Sequence, residues 1–176
     1  MTRDANQDGL IVGVAGAGAM GRGIAQVAAG GGCKVKLYDS KDGAPAEAKE
    51  FINKMLGRNV EKGRMAQEDA ERAVARIEVV EGMSGLADCD CVVEAVVENL
   101  EIKHAVFKEL ESVVAETAIL ATNTSSLSVS TIASACERPG RVAGMHFFNP
   151  VPLMKLVEIV DGVLTEAAVG DFLMVL

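Results

Sequence analysis

Apolar positions along the chain follow two spacings. Seven short runs of β-branched and aliphatic residues, at 10–15, 35–38, 77–80, 91–97, 118–122, 142–148 and 156–160, have the length of strands. Between them, apolar residues recur three and four apart, the spacing of an amphipathic helix. This pattern predicts helices over 19–29, over 44–76 with a break at Gly63, over 101–115, over 129–135, and one starting at Thr165. In 44–76 the inward face is expected to be Phe51, Ile52, Met55, Leu56 and Val60; in 101–115 it is Ile102, Val106, Leu110 and Val113. Strands alternating with helices imply a mostly parallel, doubly wound α/β sheet of Rossmann type, with strands buried on both faces. A turn containing Pro150 and Pro152 joins the last two strands.

Composition narrows the class. The 176 residues suffice for one domain with its own core, and 49% hydrophobic with 24% charged residues is ordinary for a globular chain. Aromatics are only 3% with no Trp, so the core must be aliphatic. A net charge of −8 argues against nucleic acid as a partner, because phosphate backbones need a positive surface. No apolar run reaches the ~18 residues of a membrane span, so no membrane partner is expected. Cys33, Cys89, Cys91 and Cys136 lack the spacing of a zinc clip, and the two histidines, His104 and His146, lie far apart. No metal is expected, and reduced thiols in a cytoplasm are. His104, among Glu101, Lys103 and Lys108, reads as a solvated surface residue. The polar segment 1–9 reads as a disordered leader, 10–164 as the domain, and 165–176 as the truncated start of a further helix.

Gly16-Ala17-Gly18-Ala19-Met20-Gly21 follows the first strand and opens the first helix. In such a GxGxxG the first glycine makes the tight turn, the second lets a pyrophosphate approach the backbone, and the third packs helix against strand. The helix N-terminus then offers N–H groups and a partial positive charge to phosphates. Asp39, at the end of the next strand, has the place of a carboxylate that accepts from ribose hydroxyls and repels a 2′-phosphate, which favours NAD over NADP.

A second constellation lies near the C-terminus. His146 ends a strand, and Glu158 follows twelve residues later inside LVEIV, where a carboxylate is costly unless paired. Neighbouring strands joined by a short turn would let Glu158 orient the imidazole for base catalysis. The alternative is a core histidine held by a carbonyl, with Glu158 on an exposed edge. Asn123-Thr124-Ser125-Ser126 also follows a strand, where open α/β sheets bind ligands. One serine is expected to cap the next helix while the other faces the ligand.

VGVAGAGAMGRGIAQVAA, VVEAVVENLEIK, ATNTSSLSVSTIA and GMHFFNPVPLMKLVEIV together resemble the NAD-binding domain of the 3-hydroxyacyl-CoA dehydrogenases, from about Leu10 onward. The 3-hydroxybutyryl-CoA and phenylacetate-pathway members look most similar. The resemblance implies NAD as cofactor, cradled by Gly16, Gly18, Ala19, Met20, Gly21 and Asp39 and lined by Glu98, Lys103 and Ser125. It implies an acyl-CoA substrate, with His146 as general base, Glu158 as its partner, and Ser125 and Asn149 bonding the reacting oxygen. Lys62 matches a basic position near the CoA phosphates, flanked by Lys54, Arg58 and Arg64; Met55 stands where the family has a serine. Members of the family homodimerise through a helical domain that this chain does not show after Leu176, so NAD binding with weak turnover is expected, in fatty-acid or related acyl-CoA oxidation. An NAD-binding module without turnover, of the kind recruited as lens crystallin, is the second reading. A third is a 3-hydroxyisobutyrate or 6-phosphogluconate type of dehydrogenase, which uses a lysine where this chain offers histidine.

Overall fold

The computed structural model describes residues 9–176. The expected leader, 1–9, therefore lies outside the described residues except for Gly9.

The apolar runs form seven strands: β1 (Ile11–Ala15), β2 (Lys34–Tyr38), β3 (Ile77–Val79), β4 (Cys91–Glu94), β5 (Ile119–Thr122), β6 (Val142–Phe147) and β7 (Val157–Asp161). The helices are α1 (Ala19–Gly30), α2 (Ala44–Glu61), α3 (Gln67–Ala75), α4 (Leu100–Val113), α5 (Val129–Ala133) and α6 (Ala167–Val175). One sheet has the order β3-β2-β1-β4-β5-β6-β7, parallel except for the antiparallel β6–β7 pair. This is the doubly wound Rossmann type that the alternation predicts. Strand order reverses between β1 and β4, so helices after β1 and after β4 take opposite faces and leave a crevice at the carboxyl ends.

Residue alternation sends Val12, Val14, Val35, Leu37 and Val93 into one core, against α1, α2, α3 and α6. Val92 and Leu120 enter the second core with Phe107, Leu110 and Ile132. Each such aliphatic side chain contributes about 1.5–3 kcal/mol when fully buried. Gly63, with φ +66, ends the α2 segment, as the break in the pattern predicts.

Four expectations change. In α4 the inward stripe is Lys103, Phe107 and Leu110, and Ile102 is exposed. The stripe is displaced by one residue because the Lys103 stem packs as hydrocarbon while its ammonium finds the buried Glu94 carboxylate and the more exposed Glu98. In α2, Ile52 and Leu56 are buried but Phe51 is exposed, its ring lying 3.8 Å under the Arg22 guanidinium. His104 is half-buried, with Nε2 2.8 Å from the Thr131 carbonyl oxygen, and so links α4 to α5. Finally, β7 is not buried on both faces: it is an edge strand on which Val157 and Val160 remain exposed.

Candidate active site

Three groups of residues meet at the carboxyl ends of β1, β4, β5 and β6. The first is the glycine turn. Gly16 has φ +112, its N–H donates to the Tyr38 carbonyl at 2.8 Å, and a Cβ there would stand 2.6 Å from the Ala95 carbonyl oxygen. A Cβ on Gly21 would fall 1.7 Å from the Gly16 oxygen, so only glycine permits α1 to pack this close to β1. Gly18, the N-cap of α1, has open space on its Cβ side, and neither a capping side chain nor an acidic residue occupies the first turn at Ala19, Met20 and Gly21. Those N–H groups are available to an anion. Asp39 closes the turn: Oδ2 accepts from Ala17 N at 2.6 Å and Oδ1 from Lys41 N at 2.8 Å. Its carboxylate thus holds the cradle together.

The second group is the histidine and its carboxylate. The β6–β7 register pairs His146 directly with Glu158, on the sheet face of α4 and α5. His146 Nδ1 donates to Glu158 Oε2 at 2.9 Å, which leaves Nε2 as the atom with a free lone pair. The His146 side chain is 18% exposed and that of Glu158 53%, so this is a wet pair at a strand edge rather than the buried pair that LVEIV suggests. Phe148 packs on the imidazole with ring centroids 4.5 Å apart.

The third group surrounds Glu98. One carboxylate oxygen, Oε1, accepts from the Thr124 hydroxyl, from Ser125 N at 3.1 Å and from the Ser126 hydroxyl at 3.3 Å. Lys103 Nζ lies 3.2 Å from its other oxygen and 2.7 Å from Glu94 Oε1. Burial works to raise the Glu98 pKa, but the Thr124 hydrogen bond, the Lys103 charge and the Ser125 N–H outweigh it and bring it down to about 2. Neither serine caps α5; Ser128 does, accepting from Thr131 N at 3.3 Å, because the 124–126 backbone is already committed to Glu98.

His146, Ser125, Asn149, Glu98, Lys103 and Met20 line one cavity of about 330 Å³. The sequence singles out each of them separately, and the fold brings them together. Lys62 is not brought there: it stands exposed at the end of α2, outside that cavity, and Lys54, Arg58 and Arg64 are exposed as well. Glu94, Thr122 and Asn123 make structural contacts that were not foreseen. Glu94 is fully buried at the end of β4, and Asn123 Oδ1 accepts from Phe147 N at 2.9 Å, which fixes the end of β6 beside His146. A carboxylate inside CVVEAVV carried the same signal as the one inside LVEIV. Among the described residues, no group of His, Cys, Asp and Glu is placed to hold a metal ion.

Residues 11–176 match the family described as 3-hydroxyacyl-CoA dehydrogenase, NAD binding domain. The chain belongs to that family. It is 45% identical over 160 residues to 3-hydroxyadipyl-CoA dehydrogenase of Escherichia coli K12, covering 91% of this chain and 34% of the relative. It is 45% identical over 157 residues to 3-hydroxybutyryl-CoA dehydrogenase of Bradyrhizobium diazoefficiens, covering 89% and 54%. The crystal structure of an Escherichia coli K12 3-hydroxybutyryl-CoA dehydrogenase superposes with a TM-score of 0.92 at 44% identity, covering 95% of this chain and 35% of that one. The chain thus spans between a third and just over half the length of these relatives. As a 3-hydroxyacyl-CoA dehydrogenase NAD-binding domain it takes NAD as cofactor. The residues present fit that cofactor: the open side of Gly18 and the uncapped first turn of α1 suit a pyrophosphate, and Asp39 adjoins them.

Proposed function

We propose that this domain serves the NAD-dependent oxidation of an L-3-hydroxyacyl-CoA to the 3-ketoacyl-CoA. The observation that carries the reading is the His146–Glu158 pair at 2.9 Å, opening into the cavity that also holds Ser125 and Asn149. NAD, when bound, supplies the hydride acceptor. The chain's own part is orientation and proton transfer. Glu158 holds the Nδ1–H tautomer, so Nε2 is free to take the proton from the substrate hydroxyl. Glu158 then stabilises the imidazolium that results. Ser125 and Asn149 bond the oxygen as it becomes a carbonyl, and Lys62 is the basic residue assigned to the CoA phosphates. Within the chain, the cofactor domain begins near residue 10 and takes in α6, whose Val169, Phe172 and Leu173 share its core. We place the protein in the cytoplasm, in fatty-acid or related acyl-CoA metabolism. Its four cysteines are free thiols, which suits a reducing compartment.

Calorimetry with NADH and an acetoacetyl-CoA assay following NADH absorbance test the reading. The chain should bind NADH and turn over slowly, and His146→Ala should abolish turnover while sparing NADH affinity, because the residue acts on the transition state. No heat with millimolar NADH, or turnover unchanged in His146→Ala, refutes it. A second reading is an NAD-binding module without turnover, since the glycine turn and Asp39 are held together without the His146–Glu158 pair. NADH binding with no detectable reduction of acetoacetyl-CoA, even at high protein concentration, supports that one.

A further inference from the structure

Beneath the cavity lies a charged group to which the reaction just described assigns no role. Glu94 is completely buried and takes three hydrogen bonds: Oε1 accepts from Val96 N at 2.8 Å and from Lys103 Nζ at 2.7 Å, and Oε2 accepts from the Thr122 hydroxyl at 2.7 Å. The three donors come from the loop after β4, from α4 and from β5. Lys103 is itself only 1% exposed. Its ammonium bridges Glu94 to Glu98, and Glu98 is the residue whose oxygen gathers Thr124, Ser125 and Ser126. Thr122 adds a second route, since its hydroxyl accepts from Thr124 N at 3.3 Å.

Two carboxylates share one ammonium here. Coulombic attraction toward the buried Glu94 draws the Lys103 head down to the floor of the cavity, and Glu98 follows at 3.2 Å. Without that anchor the ammonium would form a one-to-one pair with Glu98, in competition with the Thr124, Ser125 and Ser126 donors.

We propose that Glu94 is a positioning residue that acts through Lys103 and Glu98 to set the 124–126 turn, and with it the half of the cofactor site beside His146. It touches neither cofactor nor substrate, because it has no exposed surface. The proposal rests on the NAD-site reading above. It assigns the glycine turn and Asp39 to the adenosine and pyrophosphate half, with which the Glu94 carboxylate makes no hydrogen bond.

That division supplies the test. NADH and ADP-ribose share the adenosine and pyrophosphate, but ADP-ribose lacks the nicotinamide. Affinities of both are measured by calorimetry for the whole chain and for Glu94→Gln, which removes the charge at nearly constant shape. The variant is expected to weaken NADH roughly tenfold, the worth of one hydrogen bond to a charged group, and to change ADP-ribose by less than about twofold. Equal weakening of both ligands makes Glu94 a general stabiliser and overturns the proposal, as does an unchanged NADH affinity. Glu94→Asp, which keeps the charge but withdraws it by one methylene from Lys103, is the second variant. The same selective loss is expected, reduced to a few-fold. Failure of both variants to fold assigns Glu94 to stability alone and also overturns the proposal. A wild-type chain that binds ADP-ribose but not NADH is a different result, which removes the reading of the His146 half itself.

Discussion

Replacing Gly21 by alanine tests whether the cradle depends on the closeness of α1 to β1. Alanine is the best helix former, and Gly→Ala in a helix interior normally gains about 0.5–1 kcal/mol. Gly57, in the interior of α2 with nothing within 4 Å of its Cβ direction, should behave that way. Gly21 should do the opposite. Its added methyl would stand 1.7 Å from the Gly16 carbonyl oxygen, more than an ångström inside any normal contact, and the obstacle is backbone rather than a side chain that can swing away. Relief requires α1 to lift from the strand, with Val14 as the next residue in contact at 3.4 Å. Overpacking of this kind costs about 1–3 kcal/mol when the surroundings can yield, and rigid backbone places Gly21→Ala at or above the top of that range. For a domain of this size 3 kcal/mol is about 10 °C in Tm, whereas Gly57→Ala should raise Tm by about 2 °C. Thermal melts followed by circular dichroism, with and without NADH, read both effects. The stabilising shift that NADH gives the wild type should shrink in Gly21→Ala, because the N–H groups of the first turn move with the helix. A Gly21→Ala protein as stable as wild type, with an undiminished NADH shift, would refute the steric argument and the placement of the cofactor at this turn.

Two further predictions concern ionisation. The Glu98 pKa falls from its ordinary 4.5 to about 2, so this carboxylate stabilises the folded chain above about pH 4.5 and loses that contribution as pH falls toward 2. Denaturant midpoints taken between pH 5 and 2 should therefore fall less steeply for Glu98→Gln than for wild type; parallel curves would count against the Thr124–Ser125–Lys103 cluster as the cause. Burial pushes Cys91 and Cys89 up to about 12 and Cys136 up to about 11, while Cys33 is only half-buried. Mild alkylation of the native chain followed by mass spectrometry should thus modify Cys33 first, and rapid labelling of Cys91 would contradict its packing in the core.

Much of the fold can be read along the chain, because the signals are local. Strand runs such as LIVGVA at 10–15 and the helix of small residues after Gly18 follow from side-chain period and from turn chemistry, and neither needs a distant partner. The spacing of the cradle glycines is legible for the same reason, and Gly21 answers to Gly16 within the turn, whereas the demand on Gly16 comes from Ala95 in the loop after β4. The His146–Glu158 meeting was one of two readings open to the sequence, and the β6–β7 register across the connection 148–156 decides it. What the sequence could not decide is which face of α4 turns inward. A pattern count favours Ile102 and Val106, and the fold instead buries Lys103 because Glu94 and Glu98, brought together from the end of β4 and the loop behind it, offer its ammonium an ion pair out of water. The same holds for Ser125, whose setting depends on Glu98, 27 positions away. Local spacing settled the elements and the glycine turn; the buried charges that shape the rest of the site were decided by tertiary structure, because a charge can be buried only where the fold gathers its partners.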